Sequence, residues 1–120
     1  MRLALQLNHD PIDTELGNRA WQCAQTALTE GHELVRIFFY HHAVSYAFSH
    51  DPNHTAFRPN WSELARAHDL DLVVCVSAAL RRGWLNEAQL SPAHLLPGFR
   101  VAGLGLWAEA VVLADRVKVF

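Results

Sequence analysis

Asp71-Leu-Val-Val-Cys-Val-Ser77 is the stretch on which the fold of this chain turns. Five consecutive apolar or small residues, three of them valines, are bounded by polar residues. That is a strand apolar on both faces, buried rather than half-exposed. A short helical turn follows over Ala78 to Arg82, and Gly83 ends it. A both-faces-buried strand running straight into a helix is the signature of a parallel sheet with crossover helices.

The pattern repeats in both directions. Upstream, Leu34-Val-Arg-Ile-Phe-Phe-Tyr40 is a second buried strand, and Arg2 to Asn8 alternates as a strand at the N-terminus. Between them, Thr14 or Asp13 caps a helix running to about Glu30. Leu16, Ala20, Cys23/Ala24 and Ala27/Leu28 give it one apolar face, and Gly31 closes it. Residues 41–58 lack periodicity and read as a long loop, with Asp51-Pro52-Asn53 as a turn. Asn60 with Glu63 resembles a capping box for a helix whose face carries Trp61, Leu64, Ala65 and His68. Downstream, Ser91-Pro92 opens a short helix and Pro97-Gly98 is a turn. Phe99 to Leu104 is a strand, Leu106 to Ala114 a helix and Arg116 to Phe120 a strand. The order is βαβαβαβαβ. It predicts one α/β domain over 1–120 with a five-stranded parallel sheet covered on both faces; strand order does not follow from it.

Composition bounds the function. With 120 residues, 51% of them hydrophobic, the chain builds a core without metal or disulfide staples, and disorder is excluded. The longest apolar stretch, Val101 to Ala114, contains Glu109 and falls short of the ~20 residues a membrane span needs. No basic leader precedes an apolar run, so the expectation is a soluble cytoplasmic domain. Lys+Arg 10 against Asp+Glu 12, spread along the chain, argues against a nucleic-acid face. Lys118, the only lysine, lies in a terminal strand, which disfavours amine catalysis.

The chemistry centres on Cys75. It stands near the carboxyl end of its strand, where ligand chemistry in parallel sheets collects. Ser77 can cap the following helix, and Arg81 and Arg82 add positive charge. These surroundings favour a thiolate, so Cys75 is expected to have a depressed pKa and to react before Cys23. The competing reading is a small buried strand residue. Cys23, on the apolar face of the first helix, reads as shielded core. His41, His42, His50 and His54 lack fixed metal-ligand geometry and read as solvated loop histidines. His9 follows the first strand and either assists a thiol or serves as a polar loop residue, the second being preferred. Cys75 and Arg81 also form C-x5-R, the spacing of cysteine phosphatases and arsenate reductases. Val-Ser-Ala-Ala-Leu between them has no glycine to turn N–H groups inward.

Val74-Cys-Val-Ser-Ala-Ala-Leu-Arg-Arg-Gly83 resembles the active-cysteine segment of the DsrE/TusD family of sulfur-relay proteins. Gly31-His-Glu33, Phe38-Phe-Tyr40, Pro97-Gly-Phe99, Gly103-Leu-Gly105 and Ala114-Asp-Arg-Val117 stand in family order, so the likeness covers nearly the whole chain. The loops Asn8–Asp13 and His41–Ala43 depart from the family's usual composition. The resemblance implies a three-layer α/β/α fold and a persulfide carrier with Cys75 as the catalytic residue. It further implies a heterohexamer with TusB/DsrH-like and TusC/DsrF-like subunits, a TusA-like donor and a TusE/DsrC-like acceptor. The setting it implies is tRNA wobble-uridine 2-thiolation or dissimilatory sulfur oxidation, with no cofactor and no metal; the charge and the apolar length above argue for no direct nucleic-acid or membrane contact. A phosphatase or reductase using Cys75 and Arg81, and a non-catalytic assembly subunit, remain as alternatives.

Overall fold

Residues 1–51, 58–86 and 94–120 are described by a computed structural model of the chain. The strands are β1 (Arg2–Leu7), β2 (Glu33–Phe39), β3 (Leu72–Cys75), β4 (Phe99–Ala102) and β5 (Arg116–Val119). The helices are α1 (Thr14–Thr29), α2 (Trp61–His68), α3 (Val76–Arg81) and α4 (Gly105–Leu113). The sheet is parallel throughout, in the order β4-β3-β2-β1-β5. The chain thus steps outward from β1 to β4, and α4 then carries it across the sheet to the far side of β1.

Adjacent residues of β2 show how both faces are covered. Phe39 meets Trp61 of α2 at 5.8 Å between ring centroids, and Trp61 meets Trp21 of α1 at 5.0 Å. Phe38 points the other way, to Trp107 of α4 at 5.8 Å. Strand side chains alternate, so two neighbouring phenylalanines serve two layers. The core is Leu5, Leu7, Ile37, Phe38, Phe39, Leu72, Val73 and Val74, all fully buried, with Ala20, Ala24 and Ala27 letting α1 approach closely.

Local sequence sets most element ends. Asp13 Oδ1 accepts a hydrogen bond from Leu16 N–H at 3.1 Å, so Asp13 rather than Thr14 caps α1. Gly31, at φ +82°, takes the left-handed position that closes it. Asn60 Oδ1 accepts from Glu63 N–H at 3.0 Å, but Glu63 pairs with Arg66 instead of returning to the cap, so only half the expected box forms. On α2, Trp61 and Ala65 are buried while His68 is exposed. The loop expected over 41–58 opens instead as a 3-10 helix, His41–Ala47, with Ala43, Val44, Ser45, Tyr46 and Ala47 all buried. Phe48 then forms an isolated antiparallel bridge with Leu95. The helix expected at Ser91-Pro92 and the turn at Asp51-Pro52-Asn53 fall wholly or partly outside the described residues.

At the opposite, amino edge of the sheet an ion network ties β2, β3, β4 and α4 together. Arg36, only 9% exposed, donates from Nε to Asp71 Oδ2 at 2.6 Å and from Nη1 to Leu106 O at 2.7 Å and Glu109 Oε1 at 3.2 Å. Arg100 donates to both Asp71 oxygens, at 2.8 and 2.9 Å. Burial pulls the Asp71 pKa upward, but the hydrogen bonds from Arg100 and Arg36 outweigh it and hold the carboxyl below its usual value. A depressed carboxylate contributes stability above its unfolded-state pKa of about 3.9 and loses it as pH falls through the folded-state value. Asp71→Asn is expected to destabilise the fold by about 2 kcal/mol at pH 7. In urea titrations the gap from wild type should narrow as pH falls below about 4; a gap constant from pH 7 to pH 3 would remove the ionised Asp71 from this role.

Candidate functional site

Cys75 is the last residue of β3, paired with Ala102 of β4, and it caps α3. The strand stops there because β4 ends at Ala102 and offers no further partner. Val76 and Ser77, expected to extend the strand, therefore belong to α3, and Ser77 is an exposed first-turn residue rather than the cap. Val73 pairs with Phe38, so the pleat places Cys75 on the side of the sheet that α4 covers. The 3-10 helix packs against both β3 and α3, and Cys75 sits at that junction. Arg81 ends α3 on an exposed position; Arg82 caps it, half-buried.

The two thiols differ from expectation in exposure. Cys75 is fully buried, whereas Cys23 is half-buried and lines a groove of about 980 Å³ with Gln22, His32, Lys118 and Phe120. Cys23 sits at the margin of the α1 face rather than in its centre, so it is not the shielded thiol of the pair. Burial nonetheless pushes its pKa up, against a smaller downward pull from Lys118. A second groove, about 920 Å³, runs along α2 to Gly98 and Phe99, and Cys75 lines neither. The C-x5-R alternative loses its geometry too: the five residues between Cys75 and Arg81 are helical, not an anion-cradling loop.

A buried polar knot beside the carboxyl ends of β1 and β2 was not legible in the sequence. His9 Nε2 and Tyr46 Oη are hydrogen-bonded at 2.7 Å. The guanidinium of Arg58 lies 4.9 Å from the centre of the Tyr46 ring and pairs with Asp51 at 3.0 Å. Desolvation drives Tyr46 up to about 12 despite the opposing field of Arg58. Burial likewise holds His9 below its usual value, against weaker pulls from the Phe120 backbone, Asp13 and Asp10. His9 is therefore a structural partner of Tyr46, not a loop residue in solvent. These four groups are scattered over 50 positions of the chain, from 9 to 58, with no spacing that could have announced them.

The loop histidines disperse. His41 stands in the left-handed region at φ +51°, its ring 4.0 Å from that of Tyr40. His50 packs against Trp84 and His94, at 5.1 and 4.5 Å. His54 lies outside the described residues. No group of three or more His, Cys, Asp or Glu side chains among the described residues could hold a metal ion.

The profile of the DsrE/DsrF-like family matches residues 1–120. The chain belongs to that family. It is 41% identical to the putative sulfurtransferase DsrE of Allochromatium vinosum, across all of this chain and 98% of that protein. It is 40% identical to the sulfurtransferase TusD of Klebsiella pneumoniae and 38% to that of Salmonella paratyphi B, full length on both sides. This kinship makes the DsrE/DsrF-like chain a sulfurtransferase. Its fold is that of the ychN protein from E. coli, with a TM-score of 0.78 at 21% identity over 100% of this chain and 99% of that one. MTH1491 from Methanobacterium thermoautotrophicum shares it, with a TM-score of 0.62 at 19% identity over 98% and 97%. Family membership and the α/β class with five parallel strands are as expected from the sequence.

The knot gives a sharp test. A Cβ at Gly17 would lie 3.0 Å from Tyr46 Oη. Alanine in a helix otherwise gains up to ~1 kcal/mol over glycine. Gly17→Ala is expected to lower stability in the wild type but raise it in a Tyr46→Phe background, where the hydroxyl is gone. Equal effects in the two backgrounds would break the contact.

Proposed function

We propose that this chain is the persulfide-carrying subunit of a TusBCD/DsrEFH-type sulfur relay, with Cys75 as the carrier. The observation behind the reading is the placement of Cys75 at the carboxyl end of an inner strand, at the start of the helix that ends in Arg81 and Arg82, in a family with sulfurtransferase relatives. In this reading Cys75 takes sulfane sulfur from a TusA-like donor and gives it to a TusE/DsrC-like acceptor. The work is done in the cytoplasm, for 2-thiolation of the tRNA wobble uridine; dissimilatory sulfur oxidation is the other setting. Thiol–persulfide exchange needs a nucleophilic sulfur and access to it, not an acid–base triad. Since Cys75 is fully buried in the single chain, exchange requires its cover to shift, and the 3-10 helix over His41–Ala47 is the neighbour placed to do so.

A second reading assigns the sulfur to Cys23, because Cys23 is the more exposed thiol and lines a groove. Intact mass after incubation with a sulfane-sulfur donor separates the two. Wild type and Cys23→Ala should each gain one sulfur that maps to Cys75, and Cys75→Ser none. The Cys23 change should cost on the order of 1 kcal/mol. The reverse pattern assigns the carrier to Cys23, and no uptake in any variant leaves an assembly role.

The heterohexamer with TusB/DsrH-like and TusC/DsrF-like subunits is supported by an uncovered apolar surface. On α4, Val112 is 83% exposed, with Val111 and Leu113 beside it; on the edge strand β5, Val117 and Val119 are exposed. A helix apolar all round is normally buried, so this face calls for a partner. Val112→Glu should leave the circular dichroism of the chain unchanged and shift its sedimentation, with those subunits present, to smaller species. An unchanged distribution would exclude this face from the assembly.

A further inference from the structure

Five of the nine arginines are neutralised by carboxylates. Arg19 pairs with Glu15, Arg36 with Asp71 and Glu109, Arg58 with Asp51, Arg66 with Glu63 and Arg100 with Asp71. Arg81 and Arg82 are the exception near the candidate site: among the described residues neither has a carboxylate partner. The element packed against α3 adds no anion, since the 3-10 helix begins with His41 and His42 and carries no acidic residue. After burial, the groups that depress His41 are Arg82, Arg81 and His42 in that order, with no carboxylate among the described residues acting on it. The three side chains therefore share one patch. Arg82 supplies a second, independent sign: its Nε is buried with no acceptor among the described residues. A buried N–H without a partner is rare and costs about 1–3 kcal/mol, so it marks a place where an acceptor belongs.

The patch is close enough to the sulfur to matter. Arg81 is six residues past Cys75 along α3, about 9 Å of helical rise. That is near one Debye length at physiological salt, ~8 Å, and within the range where charges at a partly buried edge still act. A chain with net charge -2 that leaves two adjacent arginines without a counter-ion among the described residues is arranged to receive an anion there.

We infer that Arg81 and Arg82, with His41 beside them, form a cationic collar that selects sulfur carriers bearing carboxylates close to the sulfur they transfer. The inference rests on Cys75 being the carrier. In uptake the Cys75 thiolate attacks the outer sulfur of a persulfide R–S–SH. A new S–S bond forms at Cys75 as the old one breaks, and R–S⁻ leaves with its electron pair; no external oxidant or reductant takes part. The collar acts twice, drawing in the carboxylates of R and stabilising the departing thiolate. The chemistry fits two sources, a low-molecular-weight acidic thiol or an acidic cysteine-bearing segment of a protein.

The test measures loading of Cys75 in the Cys23→Ala protein, where one thiol reports. The donors are glutathione persulfide, with two carboxylates, and cysteamine persulfide, with an ammonium group. Glutathione persulfide should load roughly tenfold faster at low salt. The ratio should fall toward one at 1 M salt, where the Debye length is about 3 Å. Arg81→Ala with Arg82→Ala should collapse the ratio; Arg81→Lys with Arg82→Lys should keep most of it, which separates charge from packing. The persulfide of an acidic seven-residue peptide distinguishes the sources: a larger loss for it than for glutathione in the alanine variant identifies a protein segment, a smaller loss the small thiol. A ratio near one, or one indifferent to salt and to both substitutions, with Cys75 still loading, overturns the collar alone. Failure of every donor to load Cys75 overturns the carrier assignment, and the collar with it.

Discussion

Everything in this molecule follows from the need to keep water from both faces of one parallel sheet. Phe38 and Phe39 state the problem in two residues, one anchoring α4 through Trp107 and the other anchoring α2 through Trp61. Over the inner strands both faces are closed, so chemistry with solvent collects at the strand ends. Cys75 is placed by that constraint. It is where β3 leaves its pairing with β4, turns into α3 and meets the 3-10 helix that follows β2.

The two edges of the sheet are treated differently. At the amino edge, Asp71 collects Arg36 and Arg100, and Arg36 reaches on to a backbone carbonyl of α4. Charge there is matched and spent on rigidity. At the carboxyl edge, the His9–Tyr46 pair and the Arg58–Asp51 pair fix the loops, while Arg81 and Arg82 have no carboxylate partner among the described residues. A transfer site needs a firm scaffold and a local imbalance of charge, and the sheet provides them at opposite ends and on adjacent loops.

The fold was largely legible because buried parallel strands are written as contiguous apolar runs. Leu34 to Phe39 and Leu72 to Cys75 read without reference to anything distant. Their ends were less legible: Val76 and Ser77 look like strand by composition, and only the end of β4 decides that they are helix. The 3-10 helix escaped because its buried residues, Ala43 to Ala47, are consecutive and show no period. Asp71 drew attention as a strand boundary and not as the hub of an ion network, since its partners are 35 and 29 residues away. The site was legible in identity but not in accessibility. Cys75 could be singled out by position, yet the relative exposure of Cys75 and Cys23 depends on how α1 sits against β5 and how the 3-10 helix closes over β3.

The placement of β5 has a consequence for how the chain reaches this structure. β1 pairs with β2 across the single crossover helix α1, but its other side waits for β5, and the bond from Arg2 N–H to Asp115 closes a separation of 113 residues. Ring closure of that length is entropically slow compared with the successive βα steps that lay down β1 to β4. During folding, β1 therefore spends its longest interval as an open edge, its N–H and C=O groups facing outward on the β5 side. Arg116 and Lys118, alternating along the incoming strand, keep that last partner charged and soluble until it docks.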